Sequence, residues 1–273
     1  MGYLLMTSRT GILKNSPLAH VIASVRFAPW PLIAKHMADI QNALREIAPL
    51  MSEIQLEQLG PDGQPLGTPR QSWVLIAADH SFSIQFSSDQ MLIHSYKYSR
   101  FSDFSERFDR SISTLLQHMG FIDVINMGVR YIDHIKPKNN EDIEQYINKK
   151  FLPATTSDHK SIGGQSVADY LISETTRLRV NILSMPGTPN LPQDVISVSM
   201  MDSAPYRQLQ IEVLQENQLT LDMDAIFTPP TPSRIKREDI LEKLKYLHDV
   251  NNAFFRHPEV CSEHAFKVWK GEQ

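Results

Sequence analysis

The stretch Ala23-Ser24-Val25-Arg26-Phe27-Ala28-Pro29 has a counterpart much later in the chain, Met127-Gly128-Val129-Arg130-Tyr131-Ile132-Asp133. Each carries Val-Arg-aromatic after an alternating apolar run and before a segment with helical periodicity. The pair decides the fold, because the elements around each copy read in the same order.

Around the first copy, residues 20–27 alternate as a strand, with Val21, Ala23, Val25 and Phe27 on one side, until Pro29 and Pro31 end it. Ile33, Met37, Ile40, Leu44 and Ile47 then fall at steps of three and four, which predicts a helix over 32–47 closed by Pro49. Four β-type runs follow at 53–59, 72–78, 81–87 and 91–98. The first two are joined by the turn-rich stretch from Gly60 to Gly67, read as a mobile hairpin loop. Phe104, Phe108, Ile112, Leu115 and Leu116 predict a helix over 104–119, with Gly120 in the C-terminal cap position.

Around the second copy, the pattern predicts a strand over 125–135 and a helix over 140–151 carrying Ile143, Tyr146 and Ile147. Four runs come next: 168–173 taken together with 177–184, then 195–202, 208–215 and 220–227. A long helix over 237–256 carries Ile240, Leu244 and Leu247. The expected organisation is a flexible leader over 1–15, a first β-α-β4-α repeat over 16–122, and a second over 123–273 with a C-terminal helical extension. Runs 81–87, 177–184 and 208–215 alternate cleanly, so one sheet face is covered and the other wet. That places the chain in the α+β class: a tandem repeat with an antiparallel sheet and helices on one face. TATA-binding-protein-like and helix-grip folds share this element order, an analogy of architecture and not of function.

Hydrophobic residues make up 41% and charged residues 21%, which indicates a folded globular chain. A formal charge of −4 argues against a nucleic-acid partner, which would need a broad basic surface. The single cysteine, Cys261, permits no internal disulfide and suits a cytoplasmic location. No apolar run approaches the roughly 18 residues of a membrane span. Phosphate-loop, dinucleotide, His-Glu-x-x-His and Gly-x-Ser-x-Gly patterns are missing from the sequence, so no cofactor is implied. His257, Cys261 and His264 invite a metal reading by their spacing. Pro258 and the apolar row Cys261, Ala265, Val268 and Trp269 point instead to burial, and no metal site is assigned.

Strand parity puts Arg26 and Arg130 on the polar face, near the axis between the repeats. Two guanidinium groups there can hold an anion or a partner's carboxylate. The alternative is ordinary cross-strand pairing with an acid such as Glu212 or Asp222. Asp222 and Asp224 share one face of their strand at about 7 Å, a spacing open to cation binding or acid–base work. His248 and Asp249 diverge by about 100° around their helix and form no dyad alone. Asn252, one turn from His248, lies within hydrogen-bonding reach of it.

Taken in order, Pro17-Leu18-Ala19-His20-Val21 leading to Arg26-Phe27, then Gly128-Val129-Arg130-Tyr131, Leu219-Thr220-Leu221-Asp222-Met223-Asp224, and Leu244 with His248-Asp249, Asn252 and Phe255 resemble a sporadically distributed, uncharacterised family of bacterial and archaeal proteins. The similarity runs over 16–258. Members often carry Asn-Arg where this chain has Asp133-His134. The resemblance supports the architecture and brings no activity with it. The function expected is that of a non-enzymatic cytoplasmic binding or adaptor protein. It would engage a protein, a peptide, a second copy of itself or a small anionic ligand through the polar sheet face or the cleft between repeats. An enzyme using Asp222, Asp224 and an arginine is the rival reading, and nucleic-acid binding on the concave sheet the third.

Overall fold

The structure is a computed structural model that describes residues 9–56, 70–203, 206 and 208–272; the turn-rich stretch 60–67 lies outside them. In chain order the elements are β1 (Leu18–Phe27), α1 (Ile33–Leu44), β2 (Leu50–Leu56), β3 (Arg70–Ile76), β4 (Phe82–Ser87), β5 (Gln90–Ser95), α2 (Phe101–Met119) and β6 (Asp123–Ile135). They continue with β7 (Gln165–Ser173), β8 (Thr176–Leu183), α3 (Gln193–Ser203), β9 (Leu219–Phe227), β10 (Ser233–Arg234), α4 (Arg237–Phe255) and α5 (Glu263–Lys270).

All ten strands form one sheet in the order β2-β3-β4-β5-β1-β6-β9-β8-β7, with the short β10 against β6. Every pairing is antiparallel. β1 and β6 are the central pair, with Ser24 facing Gly128, Ile22 facing Arg130 and Arg26 facing Asn126. The class is α+β with a large antiparallel sheet, as the alternation predicts. The main core lies on the side where the apolar parity of β1 (Val21, Ala23, Val25, Phe27) meets Ile33 and Met37 of α1, Phe104 and Phe108 of α2, Ile240 and Leu244 of α4, and Phe266 and Trp269 of α5. Gly120 closes α2 at φ 76°, its N–H donating to the Leu116 carbonyl, a conformation glycine adopts without Cβ strain. No helix among the described residues is long and apolar enough to cross a membrane.

Four expectations need correction. The predicted helix over 140–151 is two single 3₁₀ turns, Ile143–Gln145 and Lys149–Phe151. Backbone pairing with the 260–262 segment wins there: Asn148 N–H donates to Val260 O and Ser262 N–H to Tyr146 O, which leaves those groups unavailable to a helix. The predicted strand over 195–202 is helix α3. Its buried residues Val195, Ile196, Ser199, Asp202 and Ser203 follow a helical period that the β-branched Val195, Ile196 and Val198 obscure. The predicted strand over 208–215 stays off the sheet. It pairs with the 187–190 loop, where Leu214 N–H donates to Thr188 O and Asn190 N–H to Glu212 O. Finally, helices do not keep to one face. α3 crosses the other side, where Val195 and Ile196 pack with Leu191 on Ile22 and Ile132 as a second, smaller core.

Residues 9–15, expected within a loose leader, are fastened to the C-terminal helices. Arg9 donates to Arg256 O at 3.1 Å and lies over the Phe266 ring, and Asn15 N–H donates to Trp269 O at 2.7 Å.

Candidate functional site

On the polar face the two signature arginines part company. Arg26 is exposed, with Asp89 3.5 Å away. Arg130 is largely enclosed. Its Nε and Nη2 donate to the two Asp222 oxygens at 2.6 and 2.8 Å, a bidentate grip, and Nη1 reaches Asp194 of α3. Those carboxylates outweigh the cost of burial and hold the guanidinium firmly charged. The cross-strand alternative therefore describes Arg130, while Glu212 pairs elsewhere, with Lys136 at 2.8 Å. The two arginines also sit at opposite ends of the central pair: Arg26 faces Asn126 and Arg130 faces Ile22, roughly 13 Å apart along the strands. They do not converge on one anion.

Asp224 lies in register with both Arg130 and Arg179. Burial raises its carboxyl to about 6 against the pull of Arg130. Arg179 is itself engaged by Asp169 through two 3.0 Å bonds. The sequence pairing of Asp222 with Asp224 is thus divided, with Asp222 committed to Arg130 and Asp224 left at its margin.

The far end of α3 carries a network that sequence reasoning missed. Asp202, 1% exposed, accepts from Gln85 at 2.7 Å, from His94 Nδ1 at 2.9 Å and from Tyr96 OH at 2.6 Å. His94 Nε2 in turn lies 3.0 Å from His20 Nδ1. α3 is therefore pinned at both ends, by Asp194 to Arg130 of β6 and by Asp202 to β4 and β5. It roofs a face expected to be open. No sequence signal joins Asp202 of α3 to His94 of β5, since they lie 108 residues apart in the chain.

On the helical side, His248 Nδ1 and the Tyr131 hydroxyl form a short hydrogen bond, and Phe101 stacks on the imidazole at 4.0 Å. Burial holds His248 down at about 4, so it is neutral at pH 7. Asp249 pairs with Lys245 at 2.5 Å while its other oxygen stays 4.0 Å from His248 Nε2, and Asn252 accepts from Arg256 Nε at 2.8 Å. His257, Cys261 and His264 share no helix, since α4 ends at Phe255 and α5 begins at Glu263. Cys261 is fully buried, which pushes its thiol well above the usual range.

An apolar recess with room for a ligand lies on this same side, beyond α4. The helix-facing parity of the β7–β8 hairpin (Tyr170, Leu178, Val180 and Ile182) and the last turns of α4 (Val250 and Phe254) line a cavity of about 810 Å³ that is open to solvent along β7. The 3₁₀ turns cover only its end, through Phe151, whose ring meets Phe254 edge-on at 6.0 Å. At the rim Lys150 pairs with Glu259 at 2.6 Å, and His257 stands beside them. The walls are aliphatic and aromatic and the few polar groups sit at the mouth. Such a space accepts an apolar body and orients a polar end.

No protein-family model matches the chain, and no curated protein matches it.

Proposed function

We propose that the protein is a binding protein whose ligand is a small amphiphilic molecule held between β7–β8 and α4. The observation that carries this reading is the apolar cavity of about 810 Å³, within the range of roughly 300–1,000 Å³ typical of small-molecule sites. The occupant's apolar part would lie against Tyr170, Val180 and Phe254, and its polar end at Lys150 and His257. Polar residues on the opposite sheet face support the same conclusion from the other direction. Arg26, Arg130 and Arg179 each have a carboxylate partner, which reduces the cationic surface that an anion or a nucleic-acid backbone could use there. The acid-site reading has one group in its favour, Asp224 with its raised carboxyl, but the cavity lies on the other side of the sheet.

We also infer that the two halves are copies of one unit, the second having lost the helix after its first strand and gained α3. The same offset along the chain separates Ser24 from Gly128 and Arg26 from Arg130, and Ser24 and Gly128 face each other, as two strands related by a twofold axis through that pair would. β5, β4 and β3 follow outward from β1 in the order that β9, β8 and β7 follow from β6.

The test is titration with 8-anilinonaphthalene-1-sulfonate, an apolar ring system with an anionic group. The expected result is saturable one-to-one fluorescence enhancement that Ala253→Trp, which places an indole among the lining residues, weakens by about tenfold, equivalent to about 1.4 kcal/mol. Enhancement that Ala253→Trp leaves unchanged would overturn the assignment.

A further inference from the structure

α1 and α2 run antiparallel, as their contacts at both ends require. At one end Arg110 of α2 reaches Glu46 at 2.7 Å and the Ala43 carbonyl at 3.4 Å. At the other end, His36 in the first turn of α1 meets His118 in the last turn of α2, ring centroids 5.1 Å apart. Asp39 follows His36 by three positions, so both project from the same flank of α1. That flank is not the core stripe, which belongs to Ile33, Met37, Ile40 and Leu44.

We propose that His36, Asp39 and His118 form a binding site for a divalent transition-metal ion, with zinc the best match. One ligand atom from each residue lies within 4.8 Å of the other two. Tetrahedral zinc with bonds near 2.1 Å holds its donors roughly 3.4 Å apart, so small side-chain rotations close the site without moving either helix. Two imidazoles and one carboxylate are a borderline-soft donor set that suits zinc and disfavours magnesium or calcium, which take oxygen. The geometry is also prepared. Trp30 stacks on His36 at 5.2 Å and 15°, which fixes the plane of that imidazole. Both histidines are half-buried while Asp39 is exposed, which leaves a path for the ion to enter.

Three protein ligands leave one coordination position for water or for an atom of another molecule. The ion would clamp the start of α1 to the end of α2, at the opposite end from the Arg110–Glu46 pair. This site is independent of the apolar cavity, which lies in the other half of the sheet.

The test is calorimetric titration of the chelator-treated full chain with zinc alone. The expected result is one zinc per chain, with His118→Ala and Asp39→Asn each weakening binding by about tenfold or more, and His264→Ala leaving it unchanged. Asp39 is exposed, so Asp39→Asn preserves the fold and separates lost ligation from lost structure. Cobalt in place of zinc should give visible d–d absorption bands that both variants shift to higher cobalt concentration. Absence of one-to-one binding, or binding that Asp39→Asn and His118→Ala leave intact, would overturn the site.

Discussion

Strands β2 to β5 share their core with α1 and α2, whereas β7 and β8 meet the last turns of α4. In the first half α1 delivers Ile33, Met37, Ile40 and Leu44 to the interior, each 2% exposed or less. In the second half the stretch 140–151 spends hydrogen bonds on the 260–262 segment and forms two short turns. The second half also has an added helix, α3, between β8 and β9, which reaches over the opposite face. One half is completed by its own helix, while the other has an apolar recess on one side and a polar strap on the other. The lesson is that a hydrophobic sheet face which its helix covers only in part keeps an apolar recess, here with aromatic walls and a charged rim.

The comparison breaks most severely at Asp202, which ties α3 of the second half to β4 and β5 of the first. Asp202→Ala leaves three donors without their acceptor in a buried setting and should destabilise the protein by about 4 kcal/mol in urea unfolding. Next comes the position where the halves differ most in their central strands. β1 ends before Pro29, but β6 continues through Asp133, which is 3% exposed with its Oδ2 lacking a hydrogen-bond partner. Burial raises this carboxyl to about 8, against about 3.9 in an unfolded chain. A raised carboxyl contributes fully below pH about 4 and loses that contribution as pH climbs toward 8. Asp133→Asn should therefore gain on the order of 3 kcal/mol at pH 7 and flatten the fall in stability between pH 4 and 8, as followed by unfolding at a series of pH values.

A matched pair of truncations sharpens the contrast between packed and open halves. Met37→Ala in the closed core should cost about 2.5 kcal/mol, but Tyr170→Ala on the cavity wall only about 1 kcal/mol. Equal losses would mean that the recess is as tightly packed as the core under α1. The smallest effect on stability belongs to Ala253→Trp, within about 0.5 kcal/mol of the parent, even though it should abolish most probe binding.

Much of this architecture was legible from local pattern. α1, α2, α4, β4, β8 and β9 follow from spacing alone, because each buries one face and periodicity records it. The Arg130–Asp222 pair was also within reach, as one of two cross-strand partners open to Arg130. α3 was not, because its β-branched residues imitate a strand and its buried face is split between apolar Val195 and polar Asp202. The clusters Asp202–His94–His20 and His36–Asp39–His118 join residues distant in sequence, and only the strand and helix pairing brings them together. The cavity was hidden for another reason: its walls come from the β7–β8 hairpin and the end of α4, which are far apart in sequence, and the 140–151 stretch at its end has the apolar spacing of a helix while its backbone bonds go elsewhere.

The placement of β1 beside β6 has a final consequence for how the molecule can be divided. A cut between residues 122 and 123 would leave two fragments, each with a long unpaired strand edge where its central neighbour had been. Such fragments should self-associate or pair with each other, and the intact chain should melt in one transition.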